Sequence, residues 1–261
     1  MAPNDFTHLH VHSEFSLLDG LGRITELVAD AKEQGFDSLA ITDHGALYGA
    51  VAFYKACADA KIKPIIGVET YIARRSMSDR EGKADAQPYH LILLAKDWTG
   101  YQNLCRIVTD AHVDGYYYKP RIDREYLARH AEGLVGLSAC LNGEVARAIE
   151  TGDMDEARGI AGSYRDILGP GNFFFELQDH SLPELHALNK ALLIMSCDTA
   201  PGGDHSAPGL RSTASTLLNE EGAFNEDVVE AKLARDTKKC INSPRGGAVP
   251  SRCATRRPSL L

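Results

Sequence analysis

The pattern of apolar and polar positions along this chain switches repeatedly between a period of two and a period near 3.6. Phe6–Val11 predicts a first strand. His8-Leu9-His10-Val11-His12 alternates strictly, so a strand puts the three imidazoles on one face and Leu9 and Val11 on the other. Ile24, Leu27, Val28 and Ala31 recur at helical spacing, and Gly35 stops that helix. Ser38–Thr42 predicts a second strand ending at Asp43-His44-Gly45, with a helix following through Val51, Phe53, Tyr54 and Ala58. Pro64–Glu69 predicts a third strand, nearly continuous in apolar residues as a buried parallel strand should be. The polar, charged segment Arg74–Gln87 predicts a mobile loop. Tyr89–Ala95 is a fourth predicted strand, with a helix from about Trp98 to Ala111. Leu134–Ser138 is a fifth, just before Cys140. Phe173–Leu177 is a sixth, with a helix from Pro183 to about Leu193. Strands alternating with helices imply βαβ units, a parallel sheet and right-handed crossovers. Closure into a barrel places a site at the C-terminal strand ends.

From about Met195 the alternation ends. Pro201-Gly202-Gly203 and Ala207-Pro208-Gly209 are breakers. Leu217–Leu233 predicts a single helix with a thin stripe of Val228, Val229 and Leu233. Lys238, Lys239, Arg245, Arg252, Arg256 and Arg257 then form a basic end rich in Pro, Ser and Gly, a composition that cannot bury enough apolar surface to order itself. The chain therefore divides into an α/β domain over 1–194 and an irregular tail over 195–261.

Composition narrows the function. At 261 residues the chain can bury a large core. Its formal charge of −8 argues against bulk attraction to nucleic acid. A DNA contact must be local, metal-assisted or supplied by another domain. No apolar run is long enough to span a bilayer, and MAPNDFTHLH lacks an apolar signal core. Six scattered cysteines without CxxC spacing fit reduced thiols in a cytoplasm.

Metal-type residues fall where a barrel wants them. His10 and His12 end the first strand and Asp19 lies in the next loop. His44 ends the second strand, Glu69 ends the third, His90 opens the fourth and Cys140 follows the fifth. Neutral imidazole is the commonest metal ligand, and zinc-like ions accept imidazole, carboxylate and thiolate together. Each residue alone has a plainer explanation: Asp43 as a helix cap, Glu69 on a surface turn, Cys140 as a small buried hydrophobe. Delivery by four strands to one rim outweighs these. His112, His130, His180 and His186 fall on or beside helices and read as surface or capping residues. Tyr116-Tyr117-Tyr118 could stack bases but reads here as a loop packing on the barrel.

With these residues in hand, the chain resembles the polymerase and histidinol phosphatase (PHP) domain found at the N-terminus of bacterial replicative DNA polymerase III alpha subunits. The stretches that carry the likeness are HLHVHSEFSLLDG, ITDHGALYGA, KPIIGVETY, HLILLAKDWTGYQNL, KPRIDREYL and EGLVGLSACLNGEVA, and it extends from about Phe6 to Leu193. The resemblance implies a distorted barrel of seven strands with up to three metal ions, zinc or manganese, at its mouth. Carried over by motif, the ligands are His10, His12, Asp19, His44, Glu69, His90 and Cys140, with His10, His12, Asp19 and His44 taking part in catalysis. It further implies phosphoester hydrolysis, in some members a 3′–5′ exonuclease. The implied partners are a DNA 3′ end presented by the rest of the polymerase and other replicase subunits or domains, with no membrane.

One departure stands out. The family's seventh strand ends in Asn-Asp-x-His-Tyr, whereas this chain has Ile194–Pro201, with Asp204-His205 the nearest Asp/His pair. The expectation is a barrel lacking its last strand, a truncated or frame-shifted tail, partial metal loading and no polymerase activity. A free-standing PHP-type phosphoesterase and a non-catalytic structural barrel are the alternative readings.

Overall fold

The computed structural model describes residues 6–17 and 19–198, together with the backbone of 213–215. Its strands are β1 (Ser38–Ile41), β2 (Lys63–Ile72), β3 (Tyr89–Ala95), β4 (Arg121–Ile122), β5 (Leu134–Leu137), β6 (Phe173–Phe174), β7 (Glu176–Gln178) and β8 (Thr213–Ser215). The helices are α1 (Ile24–Glu33), α2 (Ala50–Ala60), α3 (Gly82–Ala86), α4 (Trp98–Val113), α5 (Arg124–Arg129), α6 (Glu144–Glu150), α7 (Met154–Leu168) and α8 (Pro183–Asp198). This is the expected α/β alternation, and the described residues all fall within one unit, Met1–Glu226.

Aspartates set three of the helix starts. Asp97, Asp123 and Asp153 accept hydrogen bonds from the N–H groups of Gly100, Tyr126 and Glu156 at the beginnings of α4, α5 and α7, satisfying donors a first turn leaves unpaired. Gly100 is forced by packing, since a Cβ there would sit 1.9 Å from the Gly133 carbonyl oxygen.

The main sheet runs β1-β2-β3-β5-β6, with β4 also paired to β2. It is mixed rather than all parallel. β1–β2, β2–β4 and β5–β6 are parallel, whereas β3 runs antiparallel to both β2 and β5. The reversal arises because residues 73–88 return directly as a hairpin, so no crossover helix separates β2 from β3. That segment is not the free loop expected. It carries α3, Arg75 pairs with Asp79, Glu81 and Asp85, and the fully buried Arg121 donates to the carbonyls of Met77, Asp79 and Asp85.

Two apolar clusters lie on opposite faces of β1. Leu39 and Ile41 pack with Ile24, Leu27, Val28, Phe53 and Cys57 from α1 and α2, while Ala40 packs with Ile92, Leu94, Leu137 and Ala139. In α2 the buried face is Ala50, Phe53 and Cys57, with Val51 and Tyr54 outside.

Three further expectations are corrected. Phe6–Val11 is extended but not a regular strand. The Ala40 and Thr42 N–H groups donate to the His8 and Val11 carbonyls, yet the Val11 N–H goes to the Thr42 hydroxyl, which donates back to the Val11 carbonyl. A side chain thus replaces a ladder partner, and the two-residue alternation fails. Leu9 packs on the cluster around Ile92 and Val11 on the one around Phe53. The sixth predicted strand breaks at Phe175 into β6 and β7, which belong to different sheets. Finally α8 continues to Asp198, beyond the predicted end near Leu193, with Met195 buried; β7 pairs in parallel with β8. The predicted helix Leu217–Leu233, the basic end and Asp204-His205 lie outside the described residues.

Candidate metal centre

The site grows from the turn after His12. Asp43, at the end of β1, is buried and caps no helix. Its carboxylate accepts from the Ser13 N–H (2.6 Å), the Ser13 hydroxyl (2.7 Å) and the Ser16 hydroxyl (2.8 Å). Ser16 Oγ lies 2.9 Å from His12 Nδ1 and accepts the His44 N–H at 3.1 Å. One carboxylate thus clamps two seryl residues, and Ser16 in turn orients His12 and the backbone of His44.

These segments deliver their rings to Glu69 on β2, which is 1% exposed. Glu69 Oε2 lies 3.0 Å from His12 Nε2, 3.0 Å from His44 Nδ1 and 3.4 Å from His10 Nε2. Its Oε1 lies 2.7 Å from His90 Nδ1. Cys140 Sγ sits 3.8 Å from Glu69 Oε1 and 3.7 Å from His90 Nδ1. Asp19 Oδ2 is 2.7 Å from His44 Nε2 at the exposed edge.

All seven expected residues therefore gather in one place. Three overlapping triads have ligand atoms within 4.8 Å of one another: His10–His12–Glu69, His12–Asp19–His44 and His44–Glu69–His90. Cys140 sits beside His90. One detail differs from expectation: His8 leaves the cluster and packs edge-on against Phe6 and Phe36, because the extended segment is not a regular strand.

The donor set fits a cation. Glu176 Oε1 is 2.7 Å from His10 Nδ1, and a carboxylate can only accept there, so the neutral His10 ring turns its Nε2 lone pair inward. Ser16 Oγ spends its proton on Asp43, so His12 Nδ1 donates to it and the His12 Nε2 lone pair also faces inward. The two Nε2 atoms are 3.1 Å apart, an arrangement of opposed lone pairs that a proton or a metal ion relieves. His44 Nδ1 is buried, in ion-pair range of Glu69 but without a hydrogen bond of acceptable geometry.

Electrostatics without a cation follow from the same contacts. Burial opposes charge on His10, but Glu176 and Glu69 outweigh it and hold its pKa well above the usual value. Burial likewise opposes charge on His44, which Glu69 and Asp19 raise. Glu69 is pushed up by burial and pulled further down by His10, His12 and His44, ending well below the ordinary carboxylate range. Burial, with Glu69 adding to it, pushes the Cys140 thiol up to about 12.

Glu176 and Gln178 on β7 were not foreseen. The Gln178 amide donates to Glu176 Oε1 at 2.6 Å, and Asn189 on α8 donates to the Gln178 carbonyl. A lone carboxylate within Phe173-Phe174-Phe175-Glu176-Leu177 was the available signal. His180, read as a surface residue, is half-buried with an Nε2 that has no hydrogen-bond partner among the described residues, and burial lowers its pKa. His130 caps α5 and His186 pairs with Asp179, as expected of ordinary surface histidines. His112 instead reaches across to the Gly45 carbonyl, 2.9 Å away.

Comparison with known proteins agrees with this geometry. The sequence profile of the PHP domain matches residues 8–180. DNA polymerase III subunit alpha of Treponema pallidum is 46% identical over 253 residues, which cover 97% of this chain and 20% of that protein. The Thermus aquaticus subunit alpha is 47% identical over 191 residues, covering 72% of this chain and 16% of that protein. The chain thus spans a fifth or less of these relatives' length. A crystal structure from Bifidobacterium adolescentis, described as a metal-dependent phosphoesterase, shares the fold at a TM-score of 0.50 and 13% identity, covering 92% of this chain and 97% of that one. Among the described residues, no helix is long and apolar enough to cross a membrane.

Proposed function

The chain belongs to the PHP domain family, and we propose that it serves as the N-terminal PHP domain of a replicative DNA polymerase III alpha subunit, binding divalent ions and hydrolysing phosphoesters at the Glu69 cluster. One observation carries this reading: four imidazoles from three segments converge on one buried carboxylate, and two of their Nε2 atoms lie 3.1 Å apart. In this reading His10, His12, Asp19, His44, Glu69, His90 and Cys140 are the ligands, and the mixed nitrogen, oxygen and sulfur donors suit zinc or manganese. A bound ion there would acidify water and neutralise phosphoryl oxygens.

The chain's own residues do the positioning. Glu176, braced by Gln178, keeps the His10 proton on Nδ1 and frees Nε2. Asp43 does the same for His12 through Ser16. Asp19 and His44 form the open edge where a phosphoester arrives. Cys140 keeps its proton at neutral pH while no cation is present, with the thiol facing Glu69. His10, His12, Asp19 and His44 are the residues nearest the reaction. The substrate we propose is a DNA 3′ end, trimmed 3′ to 5′ and presented by the rest of the polymerase with other replicase subunits, in the cytoplasm. The described residues contain no strand ending in the family's Asn-Asp-x-His-Tyr, so loading short of three ions and slow hydrolysis are expected, because a misplaced ligand costs geometry and rate.

Elemental analysis after gentle purification, with hydrolysis of bis(4-nitrophenyl) phosphate before and after chelation, tests the proposal. Glu69→Gln should lose the bound metal and the hydrolysis together. A wild-type chain that carries no metal and gains neither metal nor activity on adding zinc or manganese overturns it.

A further inference from the structure

One motif remains unused by this reading, the aromatic run before β4. It was expected to pack on the barrel, and only part of it does. Tyr117 is tucked under the guanidinium of Arg121, 5.2 Å from its ring centroid. Tyr116 and Tyr118 are 53% and 69% exposed. The Tyr117 N–H donates to the Lys119 carbonyl at 3.1 Å, closing a tight turn whose apex is Tyr118. Tyr118 has φ +59°, a left-handed conformation rarely seen in a bulky residue and concentrated at ligand clamps and active sites.

The turn is anchored against the metal centre. Pro120 packs on Gly45, where an added Cβ would lie 2.8 Å from the proline ring. His112 stacks on Tyr116 and bonds the Gly45 carbonyl. Lys119 Nζ lies 5.2 Å over the ring of Tyr71, which itself stacks on His44 and meets His90 edge-on. Two exposed phenol rings and one ammonium therefore sit beside the turn that carries His44.

We infer that Tyr116, Tyr118 and Lys119 form a clamp that positions a single-stranded polynucleotide at the metal centre, the rings stacking bases and the ammonium meeting the backbone phosphate. The inference rests on the phosphoesterase reading of that centre. Aromatic faces stack any base, and a single lysine supplies a local charge that the net charge of −8 does not forbid. The Tyr118 ring meets Tyr117 edge-on with centroids 4.8 Å apart and stays mostly exposed, so most of the ring is open to a base.

The test uses the 261-residue chain, a fluorescein-labelled oligothymidylate and an abasic oligomer of equal length, with affinities read by anisotropy in chelator. Tyr116→Ala with Tyr118→Gly should weaken oligothymidylate binding about tenfold and leave abasic binding unchanged, whereas Lys119→Ala weakens both. Glycine suits the left-handed apex, so Tyr118→Gly alone should keep the melting temperature and still lose affinity. Hydrolysis of bis(4-nitrophenyl) phosphate by the wild-type chain is followed alongside as the readout of the metal centre. Absence of that hydrolysis in wild type refutes the phosphoesterase reading while the binding difference still stands or falls by itself. Wild-type affinity for oligothymidylate in the double variant, equal affinity of wild type for both oligomers, or no binding of either overturns the clamp.

Discussion

Glu69 and Arg121 are both buried charges, and their surroundings are opposites. Arg121 is fully buried and spends its guanidinium on backbone carbonyls: Gly115 at 3.1 Å, Asp85 at 2.9 Å, Met77 at 3.1 Å and Asp79 at 2.8 Å. Those partners are fixed dipoles that neither titrate nor leave. Glu69 is met by four imidazoles and a thiol, all able to exchange protons or accept a cation. A buried charge answered by carbonyls holds a loop in place. A buried charge answered by lone pairs is available for chemistry. Burial alone does not separate the two; the protonic freedom of the partners does.

The contrast breaks most visibly at Arg121. Arg121→Ala strands several buried carbonyls and should cost about 3 kcal/mol or more, read as a lower midpoint in urea. Arg121→Lys should recover little, since an ammonium cannot span that fan of acceptors. A wild-type midpoint for Arg121→Ala would mean that water replaces it freely and that the loop needs no such hub.

Glu176→Gln sharpens the other side. It leaves shape almost unchanged but weakens the hold on the His10 tautomer, so metal affinity should fall roughly 10–100-fold with little change in the folded signal. In the metal-free chain the sign is definite. The His10 pKa is raised on folding, so its contribution to stability is complete below about 6.5 and is lost as pH rises through the folded value. Glu176→Gln should lower that folded value, visible in the His10 ring proton shifts by NMR. An unmoved titration together with unchanged metal affinity would remove Glu176 from the site.

The smallest effect is expected at Asp85, which belongs with the architectural region. Arg75 and the Glu81 N–H hold its pKa down to about 2. Its contribution is present above the ordinary carboxylate value of about 4 and disappears as pH falls towards 2. Melting temperatures measured across that window should drop more steeply for wild type than for Asp85→Asn. Parallel curves would show that the Arg75–Asp85 pair is screened out.

The same difference explains what could be read before the fold was known. All seven cluster residues stand in short motifs at predicted strand ends or in the loop that follows, and chemistry of that kind is conspicuous in a chain. Arg121 and Asp85 are not, because KPRID and KADA look like ordinary surface charge until the backbone carbonyls around them are placed. The reversal of β3 was equally hidden. His90-Leu91-Ile92-Leu93-Leu94 is the apolar run of any strand covered on both faces, and its direction is set by how residues 73–88 return. Glu176 looked like part of one strand because the break at Phe175, which hands β7 to another sheet, leaves no mark on an apolar run.

The separation of the ligands along the chain has a consequence for how the centre comes together. Glu69 and His90 are 21 residues apart and share the β2–β3 hairpin, whereas His10 and Glu176 are 166 residues apart. Chain closure entropy grows only with the logarithm of loop length, so joining the distant pair costs about 2 kcal/mol more than joining the near one. His90 therefore reaches the carboxylate by local chain reversal at little entropic cost. The Glu176 brace on His10 exists only once the two ends of the domain have met, and an ion that needs the oriented His10 ring draws its binding energy partly from that long-range closure. A change anywhere that loosens the closure would register at His10 before it registers at His90.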